Sequence, residues 1–140
     1  MRRLLLALIA LTTLACSATQ SRGTSLRESV TDFAGHMRWG RIERAAEHVP
    51  DDTRIAFIRQ KRLAQAQVQI HEYDVRAVQY KAGTDSARVL IGAVWSRQSD
   101  PVTHENLLEQ EWRWQDQHWV MARQLEVQAS ELPIKPGDAL

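Results

Sequence analysis

Between Ser86 and Val127 the chain alternates apolar and polar positions through three segments joined by two short turns. In the first, Ala87, Val89, Ile91, Ala93 and Trp95 fall at every second residue, the period of a strand with one buried face. In the second, Val102, His104, Asn106, Leu108, Gln110, Trp112 and Trp114 share a face. Thr103, Glu105, Glu109, Glu111 and Arg113 share the other, with Leu107 as the exception. The charged face is the solvated one. In the third, Trp119, Met121, Arg123, Leu125 and Val127 alternate with His118, Val120, Ala122, Gln124 and Glu126. Setting Trp114 opposite Trp119 predicts the antiparallel pairs Trp112–Met121, Gln110–Arg123, Leu108–Leu125 and Asn106–Val127 across the turn Gln115-Asp116-Gln117.

Upstream the period changes from two to that of helices. Ser25 and Glu28 have capping-box spacing, and Leu26, Val30, Phe33 and Met37 then recur at helical intervals. Gly40 interrupts this pattern, Ile42, Ala45, Ala46 and Val49 resume it, and Pro50 ends it. A third helix-forming run starts at Thr53, with Ile55, Ile58 and Leu63 as its expected buried residues. From Val68 to Tyr80 a strand is expected, with Val68 and Ile70 on one phase and Tyr73, Val75 and Ala77 on the other. A bulge near His71 or Glu72 accounts for the switch. Helices followed by strands give an α+β domain over residues 25–128, with N-terminal helices packed on a curved, mostly antiparallel four-stranded sheet. Residues 129–140, which contain Pro133, Pro136 and Gly137, cannot extend a sheet and are expected to form a flexible tail.

The N-terminus carries a different signal. Met1-Arg2-Arg3 is basic, the following apolar run is too short for a membrane span of about 20 residues, and the run ends at Leu14-Ala15-Cys16. A small residue followed by the only cysteine resembles the lipobox of bacterial lipoproteins, with Thr13 at a position where that family usually has Leu. The resemblance implies a signal peptide over residues 1–15, cleavage before Cys16, and diacylglycerol and palmitate on Cys16. Residues 16–24 would then be a lipidated tether. An ordinary secretory signal with a coincidental cysteine is the alternative. Ser17 is not the aspartate linked to inner-membrane retention, so the resemblance points to the outer membrane, facing the periplasm. Loss of Arg2 and Arg3 with the signal takes the basic count from 18 to 16 against 17 acidic residues. Near-neutral charge argues against a nucleic-acid partner and against a polybasic membrane patch, leaving anchorage to the acyl chains.

Three stretches, Met37-Arg-Trp-Gly-Arg-Ile-Glu-Arg-Ala-Ala-Glu, Val68-Gln-Ile-His-Glu-Tyr-Asp-Val and Glu111-Trp-Arg-Trp-Gln-Asp-Gln-His-Trp-Val-Met, resemble the nuclear-transport-factor-2-like superfamily. These cone-shaped folds include ketosteroid isomerases, scytalone dehydratases and small bacterial envelope lipoproteins. The resemblance implies a cone closed by a sheet, and often a homodimer through that sheet. Proton-shifting members need a carboxylate or imidazole inside the cone. On the register above, the inner face of the last three strands has none of the carboxylates, leaving Asp32, Glu72 and Asp74 as those that could reach the interior. Asp32 and His36 share a helical face and could form an orienting pair or simply a solvated one. His71 and His104 are expected at a rim or surface. No metal-ligand spacing, phosphate loop or nucleophile elbow is present, so no metal or cofactor is expected.

Arg123 and Gln110 stand out as polar residues on an apolar face. One reading is a pocket lined by Trp95, Trp112, Met121 and His104, in which Arg123 and Gln110 receive an anionic or carbonyl group. The other has Arg123 snorkelling at the sheet edge or pairing with Glu47. The expected function is a lipid-anchored, non-enzymatic periplasmic binding or assembly module that docks an envelope protein or a second copy of itself. The alternative is a small-molecule binder or an isomerase- or dehydratase-like enzyme.

Overall fold

The computed structural model describes residues 22–128. The signal-peptide and C-terminal-tail expectations lie outside those residues. Helix α1 occupies residues 22–38, α2 Ile42–Ala45, a 3-10 turn Ala46–His48, and α3 Asp51–Gln65. Strands β1 (Val68–Tyr80), β2 (Ser86–Arg97), β3 (Asp100–Gln115) and β4 (His118–Val127) then form one antiparallel meander in the order β1-β2-β3-β4. The α+β architecture expected from the hydrophobic pattern is the one observed.

The first helix buries Leu26, Val30, Phe33, Ala34 and Met37, the stripe its sequence spacing predicts. It is already helical at residue 22, so Arg22, Gly23 and Thr24 belong to the domain rather than to a tether, and Ser25 lies inside the helix instead of capping it. Arg22 ties this end to the sheet. Its carbonyl accepts a bond from Trp119 Nε1 (3.0 Å), while its guanidinium pairs with Asp85 (2.9 Å) and lies 5.0 Å from the centre of the Trp114 ring.

Phe33 is the hub of the core. Its ring meets Trp112 edge-on at 5.7 Å and lies within 6.4 Å of Phe57, Tyr73 and His48, so one side chain of α1 contacts α3, β1, β3 and the 3-10 turn. Gly40, at φ +64°, makes the turn between α1 and α2 and leaves room for the Gln65 carboxamide, whose Nε2 donates to the Gly40 carbonyl (3.1 Å). The Arg54 guanidinium donates to the carbonyl of Ala46 (2.9 Å), which also accepts from the Val49 N–H, and to that of Val49 (3.1 Å), tying α3 to the end of the 3-10 turn.

Helix α3 buries a different face from the one expected. Phe57 is buried and Ile58 partly so, but Ile55 and Leu63 are 75% and 67% exposed. The arc turned inward runs through Arg54, Phe57, Ile58, Lys61 and Gln65. Composition alone does not mark it, because Lys61 buries its methylenes against the Phe57 ring.

Among the described residues three bulges away from the turns bend the sheet, and a further register shift lies beside the β2–β3 turn, between Ser96 and Arg97. His71 and Arg76 are the extra residues in β1 relative to β2, the first where the sequence phase switches. The third is in β4. Trp114–Trp119 and Trp112–Met121 pair as expected, but Ala122 is extra, so Glu111 faces Arg123, Gln110 faces Gln124 and Leu108 faces Glu126. The expected pairs Gln110–Arg123, Leu108–Leu125 and Asn106–Val127 are therefore replaced. Beyond Ala122 every side chain is turned to the opposite face from the simple alternation. Leu107, the apolar exception on the outer face, packs with Val127 against Ala77 and Leu90 in a small second cluster there.

The β3–β4 turn places Asp116 (φ 48°) and Gln117 (φ 64°) in the left-handed region that glycine occupies without strain. Gln117→Gly should stabilise the domain by about 0.5 kcal/mol, the relief of that conformation less the added unfolded-chain entropy, and raise Tm by a few degrees. A Tm at or below the wild-type value in a thermal melt would contradict the assignment.

Candidate functional site

Between the α1–α2 turn, α3 and the concave face of the sheet lies a cavity of about 600 Å3, within the range of small-molecule sites. Met37, Ile42, Ala64, Val68, Ile70, Ala93 and Leu108 give it apolar walls. Trp39, which is largely exposed, and Trp95 stand beside them, and Arg38, Lys61 and Glu126 are its charged lining residues.

A chain of hydrogen bonds underlies its inner end. Trp112 Nε1 donates to Gln110 Oε1 (3.0 Å), and Gln110 Nε2 donates to the hydroxyl of Tyr73 (3.1 Å) and to Gln124 Oε1 (2.9 Å). The Tyr73 hydroxyl donates to the same Gln124 oxygen (2.8 Å). An indole nitrogen can only donate, so Trp112 fixes which end of the Gln110 carboxamide is oxygen, and Gln110 in turn fixes Gln124. Both bonds to Gln124 use its oxygen, and its amide nitrogen is left as a donor beside the cavity it lines. Gln110 is 0% exposed, and burial pushes the Tyr73 phenol far above its ordinary pKa, so Tyr73 acts as a neutral hydrogen-bonding group. A second row runs along the wall. Trp95 Nε1 donates to Asn106 Oδ1 (3.0 Å), and Asn106 Nδ2 donates to Glu126 Oε1 (2.5 Å).

Of the six residues the sequence singles out for a pocket, Trp95 lines this one. His104 stacks on Trp95 at 4.6 Å but is not part of the lining. Gln110 and Trp112 are fully buried behind it and position Tyr73 and Gln124, while Met121 belongs to the core. Arg123 is on the opposite face. The Ala122 bulge sets it beside Glu111, in a groove on the outer face with Arg88, Glu109 and Leu125, so it does not reach the inner pocket expected of it. The same bulge brings Glu126 inward, so the concave face carries a carboxylate that simple alternation hides.

The carboxylates expected to reach the interior do not line the cavity. Asp74 sits 3.8 Å from Arg38 and Glu72 is exposed. Asp32 does meet His36 (3.4 Å), and His48 Nε2 donates to the same oxygen at 2.8 Å, on the outer side of α1. The His48 hydrogen bond, aided by the charges of His36 and His48, holds the Asp32 carboxyl below its usual range. His71, at its bulge, bonds the buried Ser96 hydroxyl (2.8 Å). Among the described residues no group of three or more His, Cys, Asp or Glu is placed to hold a metal ion.

The fold recurs in solved structures. A ketosteroid isomerase-like protein from Erwinia carotovora atroseptica superposes with a TM-score of 0.58 at 11% identity, over 75% of this chain and 95% of that one. An NTF2-like protein with a cystatin-like fold from Novosphingobium aromaticivorans gives 0.57 at 16% identity, over 88% and 92%. The chain has the nuclear-transport-factor-2-like fold. A SEC-C motif containing protein from Rhodopseudomonas palustris gives 0.56 at 15% identity, over 67% and 72%. No family model matches the sequence, and a search of curated proteins finds no match. At these identities the likeness carries the fold, and the site has to be read from its own residues.

The buried chain gives a direct test. Gln110→Leu keeps the volume but orphans the Trp112 indole N–H in the core, and should cost about 2–3 kcal/mol in denaturant unfolding. A loss under about 0.5 kcal/mol would show that water reaches the indole.

Proposed function

We propose that this domain is a non-enzymatic binding module whose open end takes up a small amphipathic molecule. Acyl chains on Cys16 would hold it at the bacterial envelope, on the outer membrane facing the periplasm. The observation that carries the binding reading is the cavity itself, in which apolar walls are combined with a few oriented polar groups, Gln124, Asn106 and Trp95. Such sites gain affinity from area and selectivity from the fixed donors and acceptors. The lining residues include neither a histidine nor an Asp, and the lining Glu126 is exposed and engaged by Asn106. Proton-shifting catalysis uses a base shielded by apolar walls, an arrangement that these residues do not supply. The neutral Tyr73 and the carboxamides serve recognition instead.

The anchor rests on the lipobox-like Leu14-Ala15-Cys16 and on the single cysteine. Among the described residues no helix is long and apolar enough to cross a membrane. Two or more acyl chains suffice for stable attachment.

Native mass spectrometry of the full chain, extracted under mild conditions, should show a retained mass on the order of a few hundred daltons, the size a cavity of this volume takes. Ala64→Trp, at an exposed position on the rim, should abolish it. An identical retained mass in Ala64→Trp, or none in the wild type, would refute occupancy of this cavity. Cys16→Ser should move the protein from the membrane fraction to the soluble fraction, and continued sedimentation with membranes would refute the anchor.

A further inference from the structure

We infer that the molecule held in the cavity is an anion, a carboxylate with an apolar body, and that Lys61 is the residue that reads its charge. The inference rests on the binding reading above and specifies its ligand class. Three charged side chains line the cavity, and they are not equivalent. Arg38 lies 3.8 Å from the Asp74 carboxylate and over the Trp39 ring, and Glu126 accepts a short bond from Asn106. Lys61 has no carboxylate within ion-pair distance among the described residues. Its ammonium lies 5.6 Å from the centre of the Phe57 ring. Removing an ammonium partly from water costs free energy, and a cation–π contact of this length returns only part of it. The same burial lowers the Lys61 pKa.

A half-buried cation without a counter-ion, facing an apolar cavity, is a group whose partner arrives with the ligand. The surroundings match a carboxylate with a body. Gln124 offers its amide donor from the floor, and Ile70, Leu108 and Trp95 provide the apolar wall along which the body lies. The lining charge, two cations and one anion, is net positive and complements a carboxylate. An organic cation would have to displace Asn106 from Glu126 and would lie in the field of both Lys61 and Arg38, so it is disfavoured.

Three ten-carbon probes of similar shape separate the terms: decanoate, decanol and decylamine, titrated calorimetrically into the full chain and into Lys61→Met. Methionine keeps the unbranched stem against Phe57 and removes the charge. In the wild type, decanoate should bind about tenfold or more tightly than decanol, the size of one charge-assisted hydrogen bond in a partly desolvated site, and decylamine most weakly. Lys61→Met should reduce decanoate to the level of decanol and leave decanol unchanged. Raising the pH through the lowered Lys61 pKa should erode the wild-type preference in the same way, because the neutral amine has no charge to offer. Equal binding of decanoate and decanol, or an undiminished preference in Lys61→Met, would overturn the anion inference while leaving the cavity a binding site. Failure of all three probes to bind would overturn both readings. Circular dichroism of Lys61→Met identifies a folding failure, and the pH series on the wild type then decides.

Discussion

A buried indole can donate a hydrogen bond and cannot accept one, and the arrangement of the polar interior follows from that. Trp112 lies fully inside the core against Phe33, so its N–H must find an acceptor without water, and Gln110, two residues along the same strand face, supplies it. The carboxamide thereby loses its rotational ambiguity and presents its amino end to Tyr73 and Gln124. Each link fixes the next, so residues far apart in sequence are held in one relative geometry. Because an unpaired member costs more than a paired one gains, the chain selects a single packing of β1, β3 and β4.

That selection depends on the extra residue at Ala122. With unbroken alternation Arg123 would face Gln110, and a guanidinium beside a buried indole and phenol would need a counter-charge that this part of the core lacks. The bulge removes Arg123 to the outer face opposite Glu111 and substitutes Gln124, whose oxygen accepts from both Gln110 and Tyr73. One inserted residue changes an unfavourable buried charge into a satisfied neutral network. It also carries Glu126 to the rim of the cavity, within reach of Asn106. In β1 the bulge at Arg76 has a comparable effect outside. The guanidinium lies over Gly92, where a Cβ would collide with it, and lies 3.7 Å from Glu105.

Strand order, fold class and most of the core were legible in the sequence because they depend on periodicity, and the periodicity of α1, β2 and β3 is unambiguous. The phase switch in β1 betrayed the bulge at His71 because apolar residues changed parity there. In β4 they did not. Trp119 and Met121 face the core and Leu125 faces outward with Val127, but all four share one parity, since the outer face has an apolar cluster of its own. The alternating pattern therefore continued smoothly through the bulge and hid it. Two signs of the error were present, the mismatched Gln110–Arg123 pair and the isolated Leu107 on a charged face. Together they mark a slip between two partly apolar faces. On α3 the misreading has a different cause. Lysine is scored as polar, yet its stem packs against Phe57 while Ile55 and Leu63 remain in solvent. Lys61 was therefore invisible as a lining residue, and the proposed ligand class rests on the residue that hydrophobic patterning is least able to place.

The two ends of the domain are built differently. At the closed end Phe33 packs edge-on against Trp112 and Tyr80 against Trp119, and the Arg22 carbonyl caps Trp119. At the open end the rim is made of the left-handed Gly40, the exposed Trp39, and long side chains on α3 held by polar contacts near solvent, such as the bond from Gln65 to the Gly40 carbonyl, rather than by ring packing. Local opening follows packing, so the rim is where motion costs least. Gln110, Tyr73 and Gln124, by contrast, cannot adjust without breaking the buried chain. A molecule entering this fold would meet an adaptable mouth and a fixed polar floor. Its size would be set by the part of the structure that can yield, and its chemistry by the part that cannot.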